Sequence, residues 1–251
     1  MRYYFKNDEI HNKAEWKKAF CAAYNSDGDD IHWKEGRSGE RLAEDFMGAK
    51  PEGEFTMEDM VKRFLKTDDV SLDYAKIEHA SVFDEYPRPR MQDLAIWGKA
   101  NGKNMFIGVE AKVDESFGST TIKAQRNYVN KLKAEGTSTQ ADKRLDKLVQ
   151  DYLSGDEEHN GDLRYQLLYY LAGSVREKEA DIVIMPVIVY KSNLYSASKG
   201  KTNRKAYQSF MEHLGFTCMP EMVQGQTELA YHKSLLVDGV KKEVYSCYIV
   251  K

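Results

Sequence analysis

Two acidic residues and a lysine near the middle of the chain have types and a spacing that could support chemistry. Sixteen residues separate Asp93 from Glu110, and Lys112 follows Glu110 with one residue between them. Carboxylate oxygens are the ligands that Mg²⁺ and Mn²⁺ prefer, with water and substrate phosphate completing the coordination shell. A lysine beside such a cation could orient the attacking water or stabilise developing negative charge. These residues could therefore form a metal site that acts on a phosphoryl group.

A β-hairpin would bring these residues together. The segment 92–113 contains two β-prone stretches around Asn101 and Gly102, and this pair is the strongest short signal for a type I′ turn. With a two-residue turn, opposed residue numbers sum to 203. The predicted register therefore places Asp93 directly across from Glu110.

The alternation of side chains along a strand sorts the second half of this hairpin into two faces. Glu110 and Lys112 share one face, and the other is the expected core face, which consists of Ile107, Val109, Ala111 and Val113. Opposed like charges destabilise a sheet, and a divalent cation between the two carboxylates would relieve that repulsion. The same residues leave a second interpretation open, in which they form a solvated ion-pair cluster on the wet face of the hairpin.

The surrounding sequence predicts an α/β chain in which helices flank a strand-rich centre. Helices are predicted at 14–24, after an N-cap at Ser38, at 57–65, 121–132 and 145–153, from a cap at Asp162 to Gly173, and at 206–214. Strands are predicted at 74–83, 92–97, 105–113 and 181–190, followed by a final hairpin that turns at Asp238-Gly239. Because Pro186 has no N–H to donate, its strand is expected at a sheet edge or beside a bulge.

Composition and charge limit the function classes. The 251 residues are 41% hydrophobic and 31% charged, as in an ordinary globular protein with one large α/β domain. A net charge of −3 argues against a protein that coats nucleic acid by bulk charge, although local basic segments can still bind it. The three cysteines lack disulfide or zinc spacing, and there is no apolar leader or membrane-length apolar run. We therefore expect a cytoplasmic protein without a membrane partner.

The pattern of Asp93 followed by Glu110-Ala111-Lys112 resembles the PD-(D/E)XK nuclease superfamily, although Gln92 stands where the family name has a proline. Gln166 and Tyr170 resemble the Gln-x-x-x-Tyr helix of RecB-like members. The segments HWKEGRSGERLAEDF, GVEAKVDESFG and DLRYQLLYYLAGSV look like signature blocks of an uncharacterised bacterial family assigned to the same fold, over roughly His32 to Tyr190.

The resemblance implies a restriction-endonuclease-like three-layer fold, with a central mixed β-sheet flanked by helices. It implies a single domain over 1–251. Its parts are a mainly helical portion (1–70), a catalytic core (71–192) and a C-terminal helix and hairpin (193–251).

The resemblance also implies roles for individual residues. Asp93 and Glu110 would bind Mg²⁺, with Mn²⁺ as a substitute, and Lys112 would assist the attacking water. Gln166 would position substrate and Tyr170 would contact it. The alternative for the helix is an ordinary core stripe, since residues 166 and 170 share a face with several leucines.

RecB-like nucleases often take a further ligand from a histidine before the core aspartate, and the nearby candidate is His79. It is adjacent to Glu78, and strand alternation lets one of the two face the site. We expect Glu78 to be the inward carboxylate. Superfamily members also place a glutamate on the first helix, where Glu40 and Glu44 lie one turn apart, although a solvated helix face is the favoured interpretation for that pair.

The segment 191–205 has five basic residues and no acids. Lys199, Lys201 and Arg204 are its candidate contacts to a phosphate backbone, with an ordinary solvated loop as the alternative. The resemblance, which this basic segment fits, predicts a metal-dependent nuclease acting on DNA. The alternatives are a catalytically silent nuclease-fold protein that binds nucleic acid or a protein partner, and a hydrolase of nucleotides or other small phosphodiesters. The oligomeric state stays open, and a homodimer is compatible with the sequence.

Overall fold

The computed structural model describes residues 1–24, 33–51, 54–118, 120–137, 139–155 and 157–251, so His32 lies outside the described residues. They form one nine-stranded mixed sheet with helices on both faces. The strands are β1 (Arg2–Phe5), β2 (Asp8–Ile10), β3 (Val70–Ser81), β4 (Arg90–Ala100), β5 (Lys103–Lys112), β6 (Ile182–Val189), β7 (Thr217–Cys218), β8 (Thr227–Val237) and β9 (Val240–Val250). The helices are α1 (Lys13–Ala23), α2 (Ser38–Met47), α3 (Met57–Leu65), α4 (Ile122–Ala134), α5 (Ala141–Tyr152), α6 (Glu157–Asn160), α7 (Tyr165–Val175) and α8 (Ala197–His213).

The strand order is β2-β1-β3-β4-β5-β6-β9-β8-β7. The pairs β1/β3, β5/β6 and β6/β9 are parallel, and the other neighbours are antiparallel. The predicted α/β class is thus confirmed, with a mixed sheet flanked by helices.

Two apolar clusters bury the two faces of the sheet. Helices α4, α5, α7 and α8 cover one face, and α1, α2 and α3 cover the other. Within β5, Phe106 belongs to the first cluster and Ile107 to the second, and neither side chain is exposed. The alternative interpretation, a solvated ion-pair cluster on a wet face of this hairpin, is therefore wrong, because helices cover both faces.

The predicted hairpin register is confirmed. The pairs between β4 and β5 run from Ala100↔Lys103 to Leu94↔Val109, and every pair sums to 203. Both turn residues have positive φ, 50° and 71°, as a type I′ turn requires. The turn at Asp238-Gly239, with Val237 opposite Val240 at its base, has the same character.

Strand β6, which contains Pro186, lies between β5 and β9, so the expectation of an edge position is wrong. The β5–β6 pairing is instead interrupted near this proline, which has no N–H to donate. The hydroxyl of Tyr170 on α7 donates to the main-chain carbonyl of Gly108 and lies 3.1 Å from that of Pro186. A side chain from the covering helix thus supplies a donor at the gap in the sheet.

We predict that Tyr170→Phe lowers the free energy of unfolding by about 1–3 kcal/mol, because it leaves a buried carbonyl without its donor. Tyr170 is 1% exposed, so water cannot replace the hydroxyl easily. Urea denaturation of the variant measures the change. Tyr128→Phe is the matched control, since Tyr128 is 57% exposed, and an equal effect in both variants would contradict the prediction.

Several predicted boundaries need correction. The region 1–70, expected to be mainly helical, also contributes β1 and β2 to the sheet. Helix α8 begins at Ala197 rather than at 206, because Ser196 accepts a hydrogen bond from the Lys199 N–H and caps it there. Ser38 is the first residue of α2 rather than its cap, and its hydroxyl donates to Glu115.

Helix α7 also differs from its prediction at both ends. Arg164, and not Asp162, occupies the N-cap position. Gly173 lies inside the helix, which continues to Val175. A Cβ at Gly173 would lie 2.7 Å from the Cβ of Arg90, so the glycine serves close packing of α7 on β4 and does not end the helix.

Candidate functional site

An irregular step in the β3–β4 ladder positions the first carboxylates. The ladder pairs Ile77 with Leu94 and His79 with Gln92, and Glu78 and Asp93 lie between these pairs. Glu78 has a φ of 47°. Leu94 belongs to the cluster on the α1–α3 face, whereas Gln92 donates to Ser174 of α7 on the other face. Side-chain alternation therefore breaks at this step.

Asp93 reaches β5 through its side chain at the end of the regular ladder. Its Oδ2 accepts a hydrogen bond from the N–H of Ala111 at 2.7 Å, one residue beyond Glu110. The carboxylate of Asp93 thus lies beside the Glu-x-Lys segment, although Asp93 and Glu110 do not form a regular pair in the described ladder.

Glu110 is the centre of a buried charged cluster. Its side chain is almost fully enclosed, and one carboxylate oxygen, Oε2, forms an ion pair with Arg90. The other oxygen, Oε1, lies 2.6 Å from Lys112 Nζ and accepts a hydrogen bond from Gln166 Nε2 at 2.8 Å. Residues from β4, β5 and α7 therefore converge on a single carboxylate.

Lys112 is buried beside Glu110, and its Nζ lies 5.8 Å from the ring centre of Phe117. Burial lowers the pKa of Lys112, although the negative charges of Asp93 and Glu115 oppose part of that effect. A buried lysine of this kind holds its proton less firmly than a surface lysine.

Glu78 and His79 point to different neighbours. Glu78 is buried and accepts a hydrogen bond from the Tyr24 hydroxyl at 3.1 Å. Burial and the nearby charge of Asp93 raise the pKa of Glu78 well above its usual range. His79 instead packs edge-on against Trp97 with ring centres 4.9 Å apart, and burial lowers its pKa to about 4.

Arg90 is the member of the cluster that the sequence reasoning missed. Strict alternation from Asp93 would place Arg90 on the opposite face, and only the irregular step turns it toward Glu110. Its guanidinium also lies 5.7 Å from the ring centre of Tyr170. Two features could have indicated Arg90. A buried Glu110 needs a partner of opposite charge, and Gly173 on α7 leaves room for the arginine side chain.

Three predicted site residues have their polar partners outside this cluster. Tyr170 is buried among main-chain carbonyls, so its predicted contact with substrate needs correction, because its hydroxyl is occupied inside the sheet. Glu40 pairs with Lys13 of α1 and accepts a hydrogen bond from the Gly36 N–H. Glu44 is largely exposed and pairs with Arg41.

The predicted basic contacts belong to α8. Lys199 and Lys201 are exposed, and Arg204 forms an ion pair with Glu228 at 2.9 Å. Asn203 of the same helix donates to the main-chain carbonyl of Glu115 at 2.7 Å. The basic start of α8 is therefore tied to the chain just after Lys112.

The donor set allows a test of fit for a divalent cation. Within the described part of the chain, no group of three or more His, Cys, Asp or Glu side chains is arranged to hold a metal ion. Glu78, Asp93 and Glu110 nevertheless supply three carboxylates against the two cations Arg90 and Lys112. Both oxygens of Glu110 already have partners, so metal binding there requires Arg90, Lys112 or Gln166 to release an oxygen.

Fold and site together define an α/β protein whose mixed sheet carries a buried carboxylate and cation cluster beside an irregular strand step. The model of a family described as a domain of unknown function (DUF6946) matches residues 9–244, and the chain belongs to this family. Neither the curated proteins nor the solved structures contain a significant match. Among the described residues, no helix has the length and apolar character needed to cross a membrane.

Proposed function

We propose that this protein is a metal-dependent nuclease with a restriction-endonuclease-like fold that hydrolyses phosphodiester bonds in DNA. The observation that carries the proposal is the hydrogen bond from Gln166 Nε2 to Glu110 Oε1. It joins the Gln-x-x-x-Tyr helix to the Glu-x-Lys strand across 56 residues of sequence, next to Asp93. Two motifs of one nuclease pattern that meet at one place support the proposal more than either motif alone.

Each residue of the cluster has a role in this proposal. Asp93 and Glu110 would hold Mg²⁺ or Mn²⁺, with Glu78 beside them. A divalent cation bound there supplies polarisation of a phosphoryl oxygen and a lowered pKa of bound water. The ammonium group of Lys112 donates hydrogen bonds to the phosphate oxygens on which negative charge develops. Gln166 fixes the orientation of the Glu110 carboxylate.

The basic residues of α8 support a nucleic acid as the substrate. Lys199 and Lys201 are exposed on the first turns of the helix that Asn203 ties to the chain beyond Lys112. Positive charge placed near a site attracts a phosphate backbone even when the net charge of the protein is negative. Arg204 contributes only if it exchanges its Glu228 partner for a phosphate.

The decisive experiment is a cleavage assay on single- and double-stranded DNA and RNA with Mg²⁺ or Mn²⁺. Asp93→Asn keeps the size of the side chain and removes a ligand charge, so we expect a loss of at least roughly 100-fold, in line with the several kcal/mol that such a cation supplies. Asp73→Asn, at an exposed position of β3, is the matched control. Equal cleavage by the wild type and Asp93→Asn would refute the assignment.

A second candidate is a catalytically silent protein of this fold that binds nucleic acid or a protein partner. The observation that favours it is the neutralisation of Glu110 by Arg90 and Lys112, which needs no metal. Calorimetric titration with Mn²⁺ separates the two candidates. A nuclease should show a site that is lost in Asp93→Asn, and a silent protein should show none.

A further inference from the structure

A cavity lies between the loop after β3, helix α4, the start of α5 and helix α7. Its volume is about 550 Å³. We call it the tyrosine pocket, and the lining residues used below are Tyr86, Arg88, Gln125, Gln140, Tyr165 and Tyr169.

Arg144 fixes one wall of this pocket. Its guanidinium binds both carboxylate oxygens of Asp84 at 2.7 and 2.8 Å and donates to the carbonyls of Tyr86 and Arg88 at 2.9 and 3.0 Å. It also donates to the hydroxyl of Tyr169 at 3.0 Å. Because these bonds join the loop to α5 and α7, the wall is formed before any ligand arrives. Asp84 neutralises Arg144, whose role is thus to hold the wall.

The aromatic side chains of the pocket are arranged around that arginine. The Arg144 guanidinium lies 5.6 Å from the ring centre of Tyr86 and 5.5 Å from that of Tyr169. The rings of Tyr165 and Tyr169 lie 5.7 Å apart with a 34° tilt. Burial raises the pKa of Tyr165 to about 12, so its ring is a neutral phenol at any ordinary pH. The pocket therefore presents uncharged aromatic surface that is held in place.

Polar groups on the remaining sides indicate what such a surface would bind. Gln125 and Gln140 contribute side-chain amides, which both donate and accept hydrogen bonds, and Arg88 contributes an exposed cation. A volume of this size lies within the roughly 300–1,000 Å³ of small-molecule sites. Aromatic faces, amides and one cation together match a planar heterocycle with polar edges that is attached to a phosphate.

The location of the pocket connects it to the candidate active site. Tyr165 immediately precedes Gln166 on α7, and Arg88 lies two residues before Arg90. We propose that the tyrosine pocket binds an unpaired nucleotide of a nucleic-acid strand, with the base against Tyr165 and Tyr169 and its phosphate at Arg88. A base inside a duplex would first have to leave its stack to enter. The binding inference stands without cleavage, and its link to Glu110 rests on the proposed function.

The test measures binding in EDTA, where metal-dependent cleavage cannot occur. Fluorescence anisotropy reports the affinity for a labelled single-stranded 12-mer, with its duplex and a mononucleotide as competitors. We expect Tyr165→Leu to weaken strand binding by roughly 5- to 100-fold, the range for loss of one stacking ring. Arg88 lies in an exposed loop, so Arg88→Gln does not put folding at risk. The variant should reduce the magnitude of the slope of log affinity against log salt concentration by about one, the value for one lost phosphate contact. Tyr128→Leu on α4 is the matched control and should stay within twofold of the wild type.

The outcomes separate the sources of the ligand. Single-strand binding that depends on Tyr165 and Arg88, with the duplex at least tenfold weaker, supports the proposal. Absence of strand binding, preference for the duplex, or wild-type affinity in both pocket variants overturns it. A mononucleotide that binds more tightly than the 12-mer assigns the pocket to small molecules and overturns the strand assignment.

A parallel cleavage assay with Mn²⁺ keeps the failure of this proposal distinct from failure of the nuclease assignment. Cleavage by the wild type, together with wild-type binding by both pocket variants, would support the nuclease assignment and refute the binding role of the pocket. Strand binding that depends on the pocket, without cleavage under any metal, would support the binding role and refute the nuclease assignment.

Discussion

Replacement of Glu110 by alanine is expected to lower the free energy of unfolding by about 3–5 kcal/mol, because it leaves two buried cations without their shared carboxylate. Arg90 is 9% exposed and Lys112 is 7% exposed, so neither regains hydration in the folded protein. Gln166 would also lose the acceptor of its side-chain hydrogen bond. Urea denaturation followed by circular dichroism measures the change.

The matched control is Glu44→Ala, since Glu44 is also paired with an arginine but is largely exposed. Surface pairs contribute about 0–1 kcal/mol, so this variant should unfold near the wild-type midpoint. Adding Arg90→Met to Glu110→Ala should recover part of the lost free energy of unfolding, because it removes one of the two buried cations that have lost their carboxylate partner. An effect of Glu110→Ala as small as that of Glu44→Ala would contradict the buried cluster.

The sequence was sufficient to predict the register of the central hairpin. Asn101-Gly102 set the register because its backbone conformation admits one type of two-residue turn, and that register holds through Leu94↔Val109. The family resemblance implied that Gln166 borders the site of Glu110, and the structure joins the two side chains by a direct hydrogen bond. The first inference used a local rule of turn geometry that tertiary packing did not override, whereas the second came from the family resemblance.

Other features depend on packing and could not be predicted from local rules. Arg90 joins the cluster because the step at Glu78 and Asp93 breaks the alternation on which any sequence argument about strand faces depends. Pro186 lies in a central strand because Tyr170, far away in the sequence, supplies a donor at the gap. In each case a residue from another element satisfies a group that the strand itself leaves open.

Replacement of Lys112 by methionine should abolish most cleavage while the protein stays folded. Loss of one preorganised cation or donor at a site of developing charge costs about 100- to 1,000-fold in rate. Methionine is of similar length, and Arg90 and Gln166 remain to hold Glu110, so the free energy of unfolding should change far less than in Glu110→Ala. Methionine also avoids the cost of burying an ammonium group, the same burial that lowers the pKa of Lys112 in the wild type.

The matched control for this variant is Lys103→Met, at the exposed start of the same strand, which should cleave at the wild-type rate. Single-turnover cleavage gives the rate, and Mn²⁺ calorimetry tests whether the carboxylates still bind the ion. Retained Mn²⁺ affinity with lost cleavage assigns Lys112 to the chemical step. Loss of both would assign it to maintaining the Glu110 carboxylate, and full cleavage would remove Lys112 from the mechanism. The lysine therefore distinguishes a catalytic cluster from one that only stabilises the sheet, since a stabilising role predicts no specific effect on the chemical step.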